Sequence, residues 1–190
     1  MTVGSDTKAR ALAQVVGIVQ GVGFRPFLHR LARLHSLTGR VRNTTNGVQI
    51  EVEGEREQVH AFLLELREKR PPISLIEEVS VEWLPPAGYQ EFSIVPSRES
   101  KPEQVFVSPD VAICGDCARE LLDPRDRRHY YPFINCTNCG PRFSIIARMP
   151  YDRPNTTMAK FALCPQCKAE YQDIEAVSYT HLRAHETVLD

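Results

Sequence analysis

The chain has 190 residues, 42% hydrophobic and 25% charged, enough for one or two globular domains with a real core. Its formal net charge of -1 and sequence pI near 6.6 give no global field that would draw nucleic acid. No stretch approaches the roughly 18 apolar residues of a membrane span, and the opening MTVGSDTKARALA lacks the apolar core of a secretory signal. A cytoplasmic protein with no membrane contact is expected. Six cysteines in a reducing compartment are expected as thiols, so the CxxC pairs point to metal or redox chemistry. On the same reading the glycosylation sequons at Asn43, Asn135 and Asn155 carry no weight.

Residues 1 to 9 are polar, and from Arg10 the string ALAQVVGIV reads as a strand running into the glycine-bearing loop GIVQGVGFR. From Pro26 to about His35 a helix follows, with Phe27, Leu28, Leu31 and Leu34 on its core face. Pro26 suits its first turn because the missing N–H loses no bond there. GRVRN leads to a turn at Asn46-Gly47, and VQIEVEG then alternates, with Val48, Ile50 and Val52 on one side. A second helix spans Glu55 to Lys69, with an apolar stripe of Val59, Phe62, Leu63 and Leu66, and Pro71-Pro72 stops it. ISLIEEVSVEW and EFSIV are two further strands.

The order predicts an α+β fold of ferredoxin-like βαββαβ plan, with room for an extra edge strand. Two helices would cover one face of a mainly antiparallel sheet over residues 10–97. Pro96 to Glu103 is polar and reads as a linker. Beyond it the periodicity fades and cysteines appear, as where a metal rather than an apolar core organises the chain.

Gly17, Gly21 and Gly23 lie between strand and helix, where backbone N–H groups can converge on an anion, and Arg25 offers a planar guanidinium for two phosphate oxygens. Taken alone, the loop leaves both an anion site and a plain turn with a surface arginine open. His29, His35 and His60 fall on helices without a partnered carboxylate and are not site candidates.

Cys114/Cys117, Cys136/Cys139 and Cys164/Cys167 form three CxxC knuckles, separated by 18 and then 24 residues. The first two fit one tetrahedral four-cysteine zinc site, saturated and therefore structural, in preference to a redox pair or free core thiols. The third has no mate: a fourth CxxC at the first interval would fall at 186 and 189, which hold Glu186 and Leu189. His181 and His185 follow at a spacing that suits a two-cysteine, two-histidine finger, with Tyr171 at its aromatic position.

GIVQGVGFR, followed at a distance by GRVRNTTNGVQIEVEG, resembles the signature of acylphosphatases. The resemblance implies a phosphate-binding loop of Gln20, Gly21, Val22, Gly23, Phe24 and Arg25. Arg25 would hold the substrate phosphate and Asn43 would orient the attacking water. An acyl phosphate is already activated, so neither a triad nor a metal is required. Without the loop, Asn43 would read as a hairpin residue capping a turn.

The segments VFVSPDVAICGDCARELLDPRDRRHYYPFINCTNCGPRFSII and MPYDRPNTTMAKFALCPQCKAEYQD resemble the paired zinc fingers of HypF-type carbamoyltransferases, which mature nickel-iron hydrogenases. The resemblance runs from about residue 10 to 175. It implies that residues 104–150 form a first finger and 151–176 the start of a second, with zinc on Cys114, Cys117, Cys136, Cys139, Cys164 and Cys167. In that family the second finger is closed by another CxxC. VSYTHLRAHETVLD departs from the pattern, so residues 177–190 are expected to be a non-native tail and the natural protein to be longer.

The whole enzyme of this family uses carbamoyl phosphate and ATP to make a carbamoyl adenylate. It passes the carbamoyl group to the terminal cysteine of a partner maturation protein. A chain of this extent would retain at most binding and hydrolysis of carbamoyl phosphate or another acyl phosphate, with the fingers structural. The alternative is a finger module binding nucleic acid or protein, with Arg125, Arg127, Arg128 and His129 as its basic patch, beside a catalytically silent acylphosphatase-like domain.

Overall fold

The structure is a computed structural model that describes residues 8–99 and 106–176. Residues 177–190, with His181 and His185, and residues 100–103 of the linker expected at Pro96 to Glu103 lie outside the described residues. β1 (Lys8–Ile18) alternates buried and half-buried positions along its length, with Ala9, Ala11, Ala13 and Val15 pointing inward. That period of two is what a strand with one covered face requires. α1 (Phe24–Leu34), β2 (Thr38–Thr44), β3 (Gly47–Glu55), α2 (Arg56–Glu68), β4 (Leu75–Leu84) and β5 (Phe92–Ile94) follow.

The sheet order is β4-β1-β3-β2-β5, with β5 parallel to β2 and all other pairs antiparallel. This is the expected βαββαβ plan, and EFSIV supplies the short extra edge strand. Both helices pack on one face, α1 against β2 and β5 and α2 against β1 and β3. Between them Phe24, Leu28, Phe62, Leu66, Ile50 and Val41 are fully buried in one core. Truncating a ring such as Phe62 in so closed a site costs about 3–5 kcal/mol.

Both ends of α1 differ from expectation. α1 starts at Phe24, because Gly23 takes a left-handed N-cap conformation (φ 73°) that turns the chain before Pro26. Leu34, expected on the core face, is 70% exposed. The chain reverses at Ser36 (φ 54°), and Leu37 enters the core in its place.

The face of the sheet away from the helices is polar but closed. Glu51 accepts from Arg40 Nη2 at 2.6 Å, from Tyr89 Oη at 2.7 Å and from Arg10 Nη1 at 3.4 Å. Burial alone would raise its carboxyl, but the Tyr89 hydroxyl and the two guanidinium groups outweigh it and hold Glu51 below its ordinary value. Beside it Glu53 accepts from the backbone N–H groups of Ala87 and Gly88, fixing the β4–β5 connection.

Beyond residue 106 the regular elements are short: α3 (Gly115–Leu122), α4 (Pro165–Gln172) and three single 3-10 turns. Cys114 and Cys164 stand at the N-caps of α3 and α4, so each helix opens on a CxxC knuckle. The segments on either side of residue 150 are tied together, since Ala147 and Arg148 donate to Asn155 O and Asn155 Nδ2 donates to Pro150 O.

Candidate functional site

β1 slips register against β4 between Val16 and Gly17, just where its pairing with β3 ends. Gly17 has φ 138°, and a Cβ there would lie 2.2 Å from Leu75 O, so this glycine serves the close approach of β4 rather than the loop. In the loop itself Val22 and Phe24 are buried anchors, while Gly21 and Gly23 have left-handed backbones (φ 71° and 73°). The first helical bond of α1 is Phe27 N–H to Gly23 O at 3.0 Å, so α1 does not use the N–H groups ahead of Phe27. Arg25 is buried in that first turn.

Gln20 sets the position of the loop. Its Nε2 donates to Thr44 O at 2.7 Å and to Gly47 O at 2.9 Å, which holds the end of β2 and the β2–β3 turn against the loop. Asn43 lies one residue before Thr44, opposite Val48 of β3. Its side chain is fully buried, and neither amide atom has a hydrogen-bond partner among the described residues. A buried primary amide with both ends unsatisfied is costly, and such groups cluster where a ligand or solvent molecule is handled.

The cysteine-rich region folds back onto this loop, which the spacing of motifs did not foretell. Tyr151 N–H donates to Gln20 Oε1 at 2.7 Å, and the Tyr151 ring lies so close to Gly21 that an added Cβ would meet it at 3.0 Å. Arg25 Nη2 lies 3.3 Å from Asp152 Oδ1. Thr137, inside the second knuckle, packs against Gly23, and Gly140 packs against Ile73. Sequence reasoning missed Tyr151 and Asp152. The available signal was the polar run YDRPN, which belongs to no cysteine knuckle. A cavity of about 350 Å³ opens beside the loop between α1, the α2–β4 connection and Thr137 and Asn138. Arg25 and Asn43 are not among the residues lining it.

The sulfurs of Cys114, Cys117, Cys136 and Cys139 lie within 4.8 Å of one another. The close pairs are Cys114–Cys136 at 3.6 Å, with Cys117–Cys139 and Cys136–Cys139 at 3.9 Å. Sulfurs bound about 2.3 Å from a tetrahedral zinc lie about 3.8 Å apart, so the set fits a four-thiolate metal site. Hydrogen bonding to Cys136 and Cys139, then burial, pushes the Cys117 thiol up, while Cys139, which accepts from both neighbours, is held low. Four thiolates therefore need a cation to coexist here. Arg142 Nη2 reaches Cys139 Sγ at 3.4 Å and supplies outer positive charge. Cys164 Sγ accepts from Cys167 N–H at 3.4 Å, and the cluster of metal-ligating side chains found among the described residues does not include this pair.

The model of the acylphosphatase family matches residues 12–94, and that of the HypF finger matches residues 113–146. The chain is 44% identical over 82 residues to the acylphosphatase of Thermotoga maritima, covering 90% of that protein and 43% of this one. It is 47% identical over 148 residues to the carbamoyltransferase HypF of Synechocystis, covering 78% of this chain and 19% of that protein. A crystal structure of full-length HypF in a phosphate- and nucleotide-bound form superposes with a TM-score of 0.79 at 47% identity, over 90% of this chain and 23% of that one.

The chain belongs to the HypF carbamoyltransferase family. It spans about a fifth of the length of the family relatives it matches. The HypF finger match contains all four clustered cysteines and ends before Cys164 and Cys167. An acylphosphatase domain joined to a HypF finger whose four clustered cysteines fit a metal site is thus what this chain carries. No helix among the described residues is long and apolar enough to cross a membrane.

The basic patch of the nucleic-acid reading is largely neutralised by carboxylates. Arg127 and Arg128 both pair with Glu170, Arg128 also approaches Glu120, and Arg125 pairs with Asp123. The histidines set aside at the outset make their contacts elsewhere, although His35 does have the carboxylate partner that the sequence did not suggest. His29 packs edge-on against Phe92, His35 bonds Gln58 and Glu65, and His60 lies on Trp83.

Proposed function

We propose that residues 10–97 bind carbamoyl phosphate or another acyl phosphate and hydrolyse it. The observation that carries this is Asn43: a fully buried amide with both ends unpartnered among the described residues, next to the Gln20 clamp on Thr44 O and beside a loop whose N–H groups the helix leaves unused. In this reading the backbone of Gln20 to Arg25 cradles the phosphate, and the Arg25 guanidinium neutralises its oxygens. Asn43 orients a water whose oxygen attacks phosphorus. The P–O bond to the acyl group breaks, the carboxylate leaves with the electron pair (carbamate from carbamoyl phosphate), and the water's proton passes to the products or solvent. Holding the phosphate and placing the water are the contributions of the protein, so a strong base is unnecessary.

The clustered cysteines are read as a zinc site. A zinc ion on Cys114, Cys117, Cys136 and Cys139 has no open position, so it supplies folding energy rather than chemistry. Residues 104–150 then form the first finger and 151–176 the start of a second, to which Cys164 and Cys167 contribute, with 177–190 as a non-native tail. In the whole cytoplasmic protein the carbamoyl group would pass through an adenylate to a partner maturation protein, using domains beyond this chain. The competing reading, a nucleic-acid-binding finger, draws little support from arginines already paired with Glu170, Glu120 and Asp123.

The test is phosphate release from carbamoyl phosphate and from acetyl phosphate by the full chain and by its Arg25→Ala and Asn43→Ala variants. Turnover by the parent and a loss of about 100-fold or more in each folded variant are expected. A folded parent at background rate refutes hydrolysis.

A further inference from the structure

Asp152 belongs to the cysteine-rich region, yet its carboxylate sits on the side chain proposed to hold the substrate phosphate, with Arg25 Nη2 to Asp152 Oδ1 at 3.3 Å. The contact is built rather than incidental. Arg25 and Asp152 side chains are 9% and 21% exposed. The preceding residue is pinned twice, by Tyr151 N–H on Gln20 Oε1 and by the Tyr151 ring, 2% exposed, against Gly21. The following turn is pinned by Asn155 N–H on Asp152 O at 2.8 Å. Asp152 is thus delivered to the loop by a rigid segment.

A carboxylate presents a guanidinium with much the same pair of oxygens as a phosphate. The two anions cannot hold the same donors, and placed side by side in a site this dry they repel. We infer that Asp152 is a built-in competitor for phosphate at Arg25, so that the seating of the YDR segment on the loop sets how tightly the acylphosphatase site holds phosphate-bearing ligands. Phosphate enters when the Asp152 carboxylate yields Arg25, and its return displaces the product. The finger region thereby tunes the affinity of a site to which it contributes no phosphate donor. This inference rests on the role proposed for Arg25.

The experiment uses the full chain and inorganic phosphate, titrated by calorimetry, in the parent, Asp152→Asn, Asp152→Glu and Arg25→Ala, each checked for folding by thermal melt. Asp152→Asn keeps the shape and removes the charge. It should bind phosphate about tenfold more tightly than the parent and lower the KM for acetyl phosphate by a similar factor, with kcat changed far less. Asp152→Glu, which restores a carboxylate, should return affinity toward that of the parent. Parent-like or weaker binding by Asp152→Asn, alongside binding that Arg25→Ala abolishes, overturns the competitor role and leaves the proposed site standing. Binding indifferent to Arg25→Ala overturns the proposed site and the competitor with it.

Discussion

Gln20 and Tyr151, 131 residues apart, meet in a buried hydrogen bond of 2.7 Å from the Tyr151 backbone N–H to Gln20 Oε1. The same amide holds Thr44 O and Gly47 O, so one side chain joins the β1–α1 loop, the strand bearing Asn43 and the finger segment bearing Asp152. Gln20→Ala strands two carbonyls and one N–H. A loss of about 2–4 kcal/mol is expected from chemical denaturation. If acyl-phosphate hydrolysis is the function, it should fall further than the lost stability explains, because Asn43 and the loop lose their common support.

Metal content separates the two cysteine sets. One metal ion per folded chain is expected on the four clustered thiolates, read by elemental analysis. Cys117→Ser or Cys139→Ser should abolish it, while Cys164→Ser should leave it in place, since Cys164 stands outside the cluster. Chelation should melt α3 and its knuckles and spare the sheet, because the apolar core of the first domain includes no residue of the metal cluster. Loss of the metal from the Cys164→Ser chain would show that the described cluster is not the whole site.

Acid sensitivity is expected to centre on Glu51. Its folded pKa is depressed, so the stability it confers is fully present above its ordinary value of 4.5 and is lost as pH falls through the lower folded value. Glu51→Gln should destabilise the domain by about 1–3 kcal/mol at neutral pH, leaving Arg10 and Arg40 unpaired. It should also flatten the acid limb of a stability–pH curve. An unchanged acid limb would assign that limb to other carboxylates.

Two glycines with positive φ should respond differently to alanine. At Gly17 a Cβ would meet Leu75 O at 2.2 Å, whereas at Gly88 (φ 78°) nothing lies within 4 Å. Gly17→Ala should cost about 3 kcal/mol or more through a backbone clash between β1 and β4. Gly88→Ala should cost only the left-handed strain of about 1–2 kcal/mol. Thermal melts of the two variants read the difference directly.

Much of this molecule is written in local pattern. The alternation of Val48, Ile50 and Val52, the stripe of Val59, Phe62 and Leu66, and the Asn46-Gly47 turn dictate β3, α2 and the hairpin, since a period of two or of 3.6 can bury its apolar side in only one way. The CxxC repeat likewise announced the four clustered cysteines, because thiolate spacing is set by the metal rather than by the rest of the fold. Leu34 was misjudged because helical periodicity does not reveal where the chain turns back, and Leu37 took its place in the core. Gly17 was grouped with the loop although its conformation answers to β4, a strand some 60 residues away in sequence. The seating of Tyr151 on Gly21 and of Asp152 on Arg25 had no local signature at all. Those contacts join segments more than 120 residues apart, so they exist only once the metal knuckles and the sheet have each folded and their surfaces have met.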